Sequence, residues 1–279
     1  MSETSETPSE SAERRIAFLG VGMMGEALLS GLVRDGRLLQ VVVSDRDQER
    51  AAQVAEKYGA TAAPAPEAVA AADTVLLAVK PQSMAELLDE IGPHLRSGAL
   101  VVSIAAGITA AYLEQRLPEA TPVVRAMPNT PALVGEGMTA VSAGTHASAR
   151  DVQEAQDLMR ACGKVVAVPE SQLDAVTAVS GSGPAYVFYV VDAMVEAGVL
   201  LGLPRATATE LAVQTMYGAA TMLTETRDHP VLLRERVSSP GGTTVAALRQ
   251  LDDHGVRAAF LTAMEAAARR SAELASGQL

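Results

Sequence analysis

The chain has 279 residues, of which 48% are hydrophobic and 3% aromatic, and its formal net charge is −11. This charge excludes a protein that binds nucleic acid through a basic surface, because the phosphates need Lys and Arg to neutralise them. One cysteine, Cys162, excludes an internal disulfide and fits a reducing compartment, so we expect a cytoplasmic protein. No apolar run reaches the roughly 18–20 residues of a membrane span, so no membrane is expected as a partner.

The chain begins with residues 1–13, which are rich in Ser, Thr and Glu. Such a segment buries too little apolar surface to order itself, so we predict a disordered tail. Over residues 14–169, short apolar runs alternate with amphipathic stretches. Strands are predicted at 15–19, 41–43, 74–79, 100–104, 122–125 and 138–141, with helices at 22–34 and 48–58. This alternation predicts a parallel sheet with right-handed crossovers, an α/β Rossmann-like dinucleotide-binding domain.

Residues 170–279 have a different pattern, and no strand is predicted there. Helices are predicted at 186–201, 205–226, 244–251 and 256–274, separated by Pro and Gly. The second of these helices is apolar on more than one face, and a helix of this kind must be buried. A segment of about 110 residues is too short to bury the apolar surface of this helix by itself. We therefore predict an all-α dimerisation domain and an obligate dimer, with a compact monomeric bundle as the alternative.

A glycine-rich segment follows the first predicted strand and opens the first predicted helix. Gly20, Gly22 and Gly25 form a G-x-G-x-x-G pattern, with Met23 and Met24 inside it. In this pattern the first glycine permits a tight turn, the second lets the backbone approach a diphosphate, and the third lets helix and strand pack closely. The diphosphate then meets unpaired amides at the positive end of the helix dipole. The segment therefore predicts a dinucleotide site.

The end of the second predicted strand carries Ser44, Asp45 and Arg46, which bear on the choice of dinucleotide. An acidic residue here favours the ribose 2′-hydroxyl of NAD, whereas a nearby Arg accepts the 2′-phosphate of NADP. Arg46, with Ser44 as a hydroxyl donor, favours NADP as the cofactor, and NAD is the alternative. Another role for Asp45 is that of a helix cap, since it precedes Gln48 by three residues.

Three more strand ends lie on the side where ligands bind in open α/β sheets. The first carries Ala78, Val79 and Lys80. Lys80 is a candidate contact for the cofactor or the substrate carboxylate, with a solvated lysine as the alternative. Ala106 and Gly107 leave room for a flat nicotinamide. Asn129, between two prolines, is a candidate for holding a carboxamide, although the sequence favours a structural role in its loop.

Two glycine-rich segments lie in the helical half, where glycine is unfavourable unless it is needed. One, at residues 180–186, leads into a helix. In the other, the amides of Gly241, Gly242 and Thr243 stand at the start of a helix and predict a pocket for a carboxylate. The hydroxyls of Thr243 and Thr244 add neutral donors. The alternative is a capped helix after a loop.

Several segments resemble pyrroline-5-carboxylate reductases in order and spacing. They are GVGMMG at 20–25, AVKPQ at 78–82, RAMPNTPALVGEGMTAV at 125–141, DAVTAVSGSGPAYVF at 174–188 and RVSSPGGTTVAALRQLD at 236–252. The resemblance covers the chain after its tail. It implies hydride transfer from NAD(P)H to the C=N bond of 1-pyrroline-5-carboxylate, giving L-proline in the last step of proline biosynthesis. It also implies dimers interlocked through the helical half, which often assemble into rings of five dimers, a decamer.

The resemblance also implies roles for individual residues. Thr244 matches the threonine that hydrogen-bonds the ring nitrogen, and Gly242 and Thr243 match backbone contacts to the substrate carboxylate. The positions that match cofactor-lining residues are Val79, Lys80 and Ala106. One departure is visible at residues 64–66, Pro-Ala-Pro, where the family often has an Asn that touches the adenine ribose. A protonated imine needs no strong acid, so we expect catalysis from positioning and from the exclusion of water.

Two competing functions are weighed against this one. A β-hydroxyacid dehydrogenase would use a lysine on the first long helix of the second half, but residues 186–201 contain none and the last lysine is Lys164. A catalytically silent NADP-binding sensor would have no use for the segment SSPGGTT. The four histidines fall outside the motifs, at predicted loops or helix ends, so neither a catalytic histidine nor a metal site is predicted.

Overall fold

The computed structural model describes residues 14–36 and 40–275, so the predicted tail at 1–13 lies outside the described residues. The chain divides into two compact units. The first contains the described residues of Met1–Thr177 and Arg270–Leu279, and the second is Ala178–Arg269. The chain passes from the first unit to the second between Thr177 and Ala178, a little further along than the expected boundary between residues 169 and 170, which stays a prediction.

Within the described residues, eight strands form one sheet in the first unit. They are β1 (Arg15–Leu19), β2 (Gln40–Ser44), β3 (Thr61–Ala62), β4 (Thr74–Leu77), β5 (Leu100–Ser103), β6 (Val123–Met127), β7 (Gly137–Ala143) and β8 (Gly163–Ala167). Their order across the sheet is β3-β2-β1-β4-β5-β6-β7-β8. β1 lies between β2 and β4 and is parallel to both. Because the chain crosses from one side of β1 to the other, the carboxyl ends of these strands form a ligand-binding crevice.

The first unit also contains seven α-helices among its described residues, besides the end of a helix that begins in the second unit. They are α1 (Met23–Arg34), α2 (Gln48–Tyr58), α3 (Ala65–Ala70), α4 (Met84–Ile91), α5 (Ala110–Glu114), α6 (Ala149–Arg160) and α7 (Leu173–Val176). The two helices predicted in this half are confirmed to within one residue. The α/β fold class is confirmed as well.

The predicted parallel arrangement is wrong at one pair of strands, because β7 runs antiparallel to β6. Residues 128–136 separate these strands and contain only the short 3₁₀ turn Thr130–Val134. A parallel return needs a crossover of about a dozen or more residues, so this connection can only reverse the chain. β8 then follows α6 and is parallel to β7.

The core of the first unit lies on both faces of the sheet. On β1, Ile16 and Phe18 pack into one apolar cluster with side chains from α1, α2 and α6. Ala17 and Leu19 face the other way and pack with side chains from α3, α4 and α5. Coverage on both faces explains why these strands read as continuous apolar runs rather than as alternating ones.

A group of charged side chains joins α1 to α2. Glu26 accepts a hydrogen bond from Lys57 at 2.9 Å and one from the Tyr58 hydroxyl at 3.1 Å, and it pairs with Arg50. The hydrogen bond from Lys57 lowers the pKa of Glu26 most. Partial burial acts in the opposite direction and offsets some of this effect, while Tyr58 and Arg50 add to the lowering. The net result is a pKa below the usual 4.5.

Replacement of Glu26 should show this coupling as a pH-dependent loss of stability. Because the folded-state pKa is lowered, the stabilisation is present above the unfolded pKa and is lost as the pH falls through the folded one. Glu26→Gln should therefore lower the free energy of unfolding by about 1 kcal/mol at pH 7, and the difference should shrink as the pH falls below 4.5. Urea unfolding measures it, with the exposed Glu56→Gln as a charge-matched control. An equal loss at pH 7 and pH 3 would contradict the coupling.

All the regular secondary structure of the second unit, within its described residues, is helical. A π-helical turn, Thr177–Gly181, leads into α8 (Gly183–Leu200), and α9 (Arg205–Thr226), α10 (Pro230–Arg236), α11 (Thr243–Asp253) and α12 (Val256–Ala275) follow. The last residues of α12 belong to the first unit. α10 was not predicted, because its seven residues are too few to show a helical period.

The second unit buries very little apolar surface in the single chain. Its buried cluster consists of Val195, Ala208 and Ala212, with Val191 packed against them. Many of the large apolar side chains on α8 and α9 are exposed, among them Phe188, Tyr189, Leu200, Leu211, Val213 and Tyr217. A compact monomeric bundle would bury these side chains, so that alternative does not describe this unit. An exposed apolar surface of this extent indicates association with another chain.

One stretch of the described residues, Glu170–Leu200, is long and apolar enough to cross a membrane by length and composition alone. Core and interface helices pass the same test. The stretch carries Asp174, Asp192 and Glu196, and charged groups are costly inside a bilayer. Much of its apolar character comes from exposed side chains of α8, such as Phe188, Tyr189 and Leu200.

Candidate active site

A cleft of about 550 Å³ opens at the carboxyl ends of β1, β2 and β4. It contains seven of the residues predicted to bind cofactor or substrate: Gly20, Gly22, Ser44, Arg46, Ala78, Val79 and Lys80. Met23, Met24 and Gly25 continue from its wall into α1. The structure therefore brings together the glycine-rich loop, the end of β2 and the end of β4, which are far apart in the sequence.

The glycine-rich loop is fixed by the strands beside it. Gly20 has a φ of +97°, and a Cβ on it would lie 2.8 Å from the backbone carbonyl carbon of Ala78, so only glycine fits here. A Cβ on Gly25 would collide with the carbonyl oxygen of Gly20. These two glycines therefore act through packing, as the pattern predicts.

Gly22 differs from its neighbours because a Cβ on it would meet nothing within 4 Å. It lines the cleft, and it is the N-cap residue of α1 without a side-chain cap. The first amides of a helix have no partner within the helix. A dinucleotide diphosphate fits this place, since it would find open space, unpaired amides and the positive end of the helix dipole.

At the end of β2, Arg46 is exposed and lines the cleft. Its guanidinium makes no hydrogen bond or ion pair within the described part of the chain, so it is available to a ligand. Ser44 is only 7% exposed, and its carbonyl oxygen accepts the Gly20 N–H at 2.8 Å.

The helix-cap role considered for Asp45 is wrong. The N-cap residue of α2 is Asp47, whose side chain accepts the Arg50 N–H at 3.0 Å. The Asp45 carboxylate instead accepts the backbone N–H of Val21 at 2.9 Å and that of Asp47 at 3.1 Å. The sequence contained no signal for this arrangement, because Val21 lies on a different strand end.

The far wall of the cleft is formed by small apolar residues on α2 and around β3. They are Ala51, Ala62, Ala63, Pro64 and Ala65. The polar contact expected of an Asn at this place is therefore absent from the wall, while Gln48 supplies a polar side chain nearby. Small apolar side chains leave room for an adenine ring to pack against this wall.

Lys80 is exposed at the cleft and precedes a 3₁₀ turn, and its carbonyl oxygen accepts the Ser83 N–H at 2.9 Å. The other cofactor candidates lie at strand ends outside the cleft lining. Ala106 is exposed, and Gly107 has a φ of +75°. A Cβ on Gly107 would lie 3.3 Å from the Cβ of Leu274, so this turn packs against the end of α12. That contact was not foreseen.

Asn129 is 9% exposed, and its Oδ1 accepts the Met138 N–H at 2.8 Å. This bond ties the loop after β6 to the start of β7. Asn129 therefore has the structural role in its loop, and its contact with a cofactor stays a prediction.

The SSPGGTT segment of the second unit forms a tight loop before α11. Gly241 has a φ of +71°, and the Gly242 N–H donates to the Ser239 carbonyl oxygen at 2.9 Å. Gly242 is the N-cap residue of α11 and makes no side-chain cap. The hydroxyls of Thr243 and Thr244 make no hydrogen bond within the described residues. The Gly242 amide is thus occupied, whereas the amides of the first turn of α11, from Thr243 onward, and the two hydroxyls are free to bind an anion. The absence of a side-chain cap argues against the alternative of a capped helix.

Groups that would support other chemistry serve structural roles. His229 caps α10 by accepting the Val231 N–H on Nδ1 at 3.3 Å. Cys162 is 1% exposed, and burial raises the pKa of its thiol, as expected of a packing residue. In residues 14–36 and 40–275, no group of three or more His, Cys, Asp or Glu is placed to hold a metal ion.

Comparison with family models gives two matches. A model described as pyrroline-5-carboxylate reductase dimerisation matches residues 170–274. A model described as NADP oxidoreductase coenzyme F420-dependent matches residues 15–107. The first match covers the exposed apolar helices and supports self-association of the chain.

Comparison with curated proteins gives relatives over nearly the whole chain. The chain is 48% identical over 264 residues to the pyrroline-5-carboxylate reductase of Corynebacterium melassecola, covering 93% of this chain and 98% of the relative. It is 41% identical over 265 residues to the protein of the same name from Escherichia coli (strain K12), covering 94% and 98%.

Comparison with solved structures also gives proteins with this name. A pyrroline-5-carboxylate reductase from Coxiella burnetii superposes with a TM-score of 0.89 at 37% identity, covering 94% of this chain and 98% of that one. The Plasmodium falciparum pyrroline carboxylate reductase, solved with NADP bound, gives a TM-score of 0.83 at 28% identity, with coverages of 94% and 98%.

Proposed function

Because the chain belongs to the pyrroline-5-carboxylate reductase family, we propose that it reduces 1-pyrroline-5-carboxylate to L-proline with a hydride from NAD(P)H. The observation that carries the proposal is the uncapped start of α11, where the Thr243 and Thr244 hydroxyls have no partner in the described structure. An arrangement of this kind binds a small carboxylate and offers a neutral hydrogen-bonding group beside it. The reaction is the last step of proline biosynthesis.

The protein groups bind and orient the reactants. The amides of Gly22 and of the first turn of α1 hold the diphosphate, while Val79 and Lys80 line the cofactor. The amides of the first turn of α11, beginning with Thr243, hold the substrate carboxylate. The Gly242 N–H already donates to the Ser239 carbonyl oxygen and would bind the carboxylate only if this bond opened. Bound NAD(P)H supplies the hydride. It goes to the carbon of the C=N bond, and the nitrogen, protonated before the transfer, becomes the amine of proline.

Thr244 orients the imine ring by hydrogen-bonding its nitrogen. Because the hydroxyl is neutral, it adds no positive charge that would oppose the protonated imine. The remaining acceleration comes from alignment of the two reactants and from exclusion of water. No metal takes part in this scheme, and Lys80 is a binding residue rather than a proton donor.

The proposed cofactor is NADP(H), with NAD(H) as the weaker alternative. Arg46 supports this choice, since it lines the cleft without a partner in the described structure and an arginine pairs well with a phosphate. Ser44 adds a hydroxyl next to it.

Arg46→Ala should separate the two cofactors. We expect the KM for NADPH to rise about ten- to a hundredfold, because a charge-assisted phosphate contact is lost, while the KM for NADH stays within about threefold. Initial rates at saturating imine measure both constants, and Arg150→Ala, an exposed arginine outside the cleft, is the charge-matched control. Equal changes for both cofactors would remove Arg46 from 2′-phosphate binding.

We also propose that the chain is an obligate dimer through residues 170–279, that five dimers form the larger decamer, and that the protein is cytoplasmic. The exposed apolar side chains on α8 and α9 support the dimer. The decamer rests on the family resemblance, and the compartment rests on the single buried cysteine.

The function is tested by measuring NADPH oxidation with and without 1-pyrroline-5-carboxylate. Oxidation that depends on the imine is the expected result. A silent NADP-binding sensor would bind NADPH and leave it unoxidised under both conditions. A β-hydroxyacid dehydrogenase would reduce no imine and would oxidise a hydroxy acid with NADP⁺.

A further inference from the structure

Asp45 lies in the wall of the cleft directly after β2, where an acidic residue ordinarily binds the hydroxyls of the adenine ribose. In this structure both of its carboxylate oxygens hold backbone amides. Oδ2 accepts the Val21 N–H at 2.9 Å, and Oδ1 accepts the Asp47 N–H at 3.1 Å. The carboxylate therefore connects the glycine-rich loop with the start of α2.

The bond to Val21 fixes the loop at the point where it turns towards the cleft. The Val21 side chain is 0% exposed and packs in the core, so its amide has no access to bulk water without a local opening. The preceding amide, that of Gly20, donates to the carbonyl oxygen of Ser44 at 2.8 Å. Two consecutive loop amides, those of Gly20 and Val21, are thus bound by Ser44, the last residue of β2, and by Asp45, the residue after it. The next residue is Gly22, where the amides available to a diphosphate begin.

We propose that Asp45 is a positioning residue that holds the diphosphate-binding loop, and that it does not select NAD over NADP. The inference rests on the proposed function only in requiring that the chain binds a nicotinamide dinucleotide. It opposes the usual assignment of an acidic residue at this position, in which the carboxylate favours NAD. Selection between the two cofactors then depends on Arg46.

The two roles of Asp45 predict different results for Asp45→Asn and Asp45→Ala. A positioning residue acts on the diphosphate, which NADPH and NADH share. Both dissociation constants should therefore rise by a similar factor, about tenfold for Asp45→Ala and less for Asp45→Asn, which keeps one acceptor oxygen. The ratio of the two constants should stay within about twofold of that of the unmodified protein.

A ribose-binding carboxylate predicts a changed ratio instead. Its removal would weaken NADH, whose 2′-hydroxyl loses its partner, and would leave NADPH unchanged or tighter, because a charge near the 2′-phosphate is lost. Such a result would overturn the proposal. Unchanged binding of both dinucleotides would overturn it too. Direct titration of the dinucleotides without substrate gives the constants, so the outcome does not depend on the reductase activity.

Three further measurements serve as controls. Asp47→Ser removes the same charge two residues away and keeps a capping side chain for α2, so the dissociation constants of both dinucleotides should not change in this variant. With imine present, Asp45→Asn should raise the KM for NADPH while kcat stays within about twofold, since the loop acts on binding and not on hydride transfer. Thermal unfolding of each variant identifies a misfolded protein, and Asp45→Asn decides the question if Asp45→Ala does not fold.

If the unmodified protein binds neither dinucleotide, the proposed function fails together with this inference. If it binds them and only the ratio shifts, this inference alone fails.

Discussion

Gly22→Asp is expected to fold like the unmodified protein and to lose NADPH binding by about a hundredfold or more. The backbone at Gly22 has a φ of −67°, which any residue adopts, and a Cβ there meets nothing within 4 Å. Aspartate is also a favourable N-cap residue, so the stability of α1 should stay the same or rise. Its carboxylate would stand where the diphosphate binds, and repulsion between charges about 5 Å apart costs roughly 3 kcal/mol at an effective dielectric constant near 20.

Dinucleotide titration and thermal unfolding together test this expectation. Gly22→Asn is the matched control, because it has the same shape and capping ability without the charge, and it should lose much less affinity. Binding of NADPH by Gly22→Asp within about threefold of the unmodified protein would show that the diphosphate lies elsewhere.

Thr244→Ala is expected to lower kcat by about ten- to a hundredfold while the dissociation constant of NADPH stays nearly unchanged. The hydroxyl has no partner within the described residues, so its removal costs the fold little. In the proposed scheme it holds the ring nitrogen, and loss of a bond to a charged group is worth about 1.5–3 kcal/mol. Single-turnover rates of NADPH oxidation with the imine separate this effect from binding.

The neighbouring threonine provides the control for this effect. Thr243→Ala keeps the backbone amide that is assigned to the substrate carboxylate, so its kcat should stay within about threefold. Thr244→Ser keeps a hydroxyl and should restore most of the activity. A Thr244→Ala protein with unchanged turnover would remove this residue from the mechanism.

The geometry of the glycine-rich loop could be predicted from the sequence because its requirements are local, while its role in binding a dinucleotide stays a prediction. Gly20 needs a positive φ and close contact with the next strand, and Gly25 needs close packing on its own loop. Both requirements restrict the residue type directly. Continuous apolar runs predicted most of the strands, because side chains on both faces of the sheet are buried.

The contacts that were missed join residues that are distant in sequence. Asp45 binds the amide of Val21, and Gly107 packs against Leu274. Neither pairing changes the local composition, so no pattern along the chain indicates it. The antiparallel β7 was missed for a related reason, since the direction of a strand depends on the connection before it and not on the strand itself.

The helical half shows a different limit. The sequence predicted an obligate dimer because α9 is apolar on more than one face, and the exposed side chains of α8 and α9 agree with that expectation. Apolar burial is not directional, however, so the surface indicates that a partner is needed without specifying how the partner is oriented. The start of α11 after the SSPGGTT loop was predicted to within one residue, because glycines and helix starts are again local features. The binding role of the loop stays a prediction.

Transfer of a labelled hydride tests the central claim most directly. NADPH that carries deuterium at C4, in the position from which the enzyme removes hydrogen, is incubated with the protein and 1-pyrroline-5-carboxylate, and the proline is analysed by mass spectrometry. Direct transfer from the cofactor to the C=N carbon predicts L-proline with a single deuterium at that carbon. Unlabelled proline, or the absence of proline while NADPH is bound, would contradict the account.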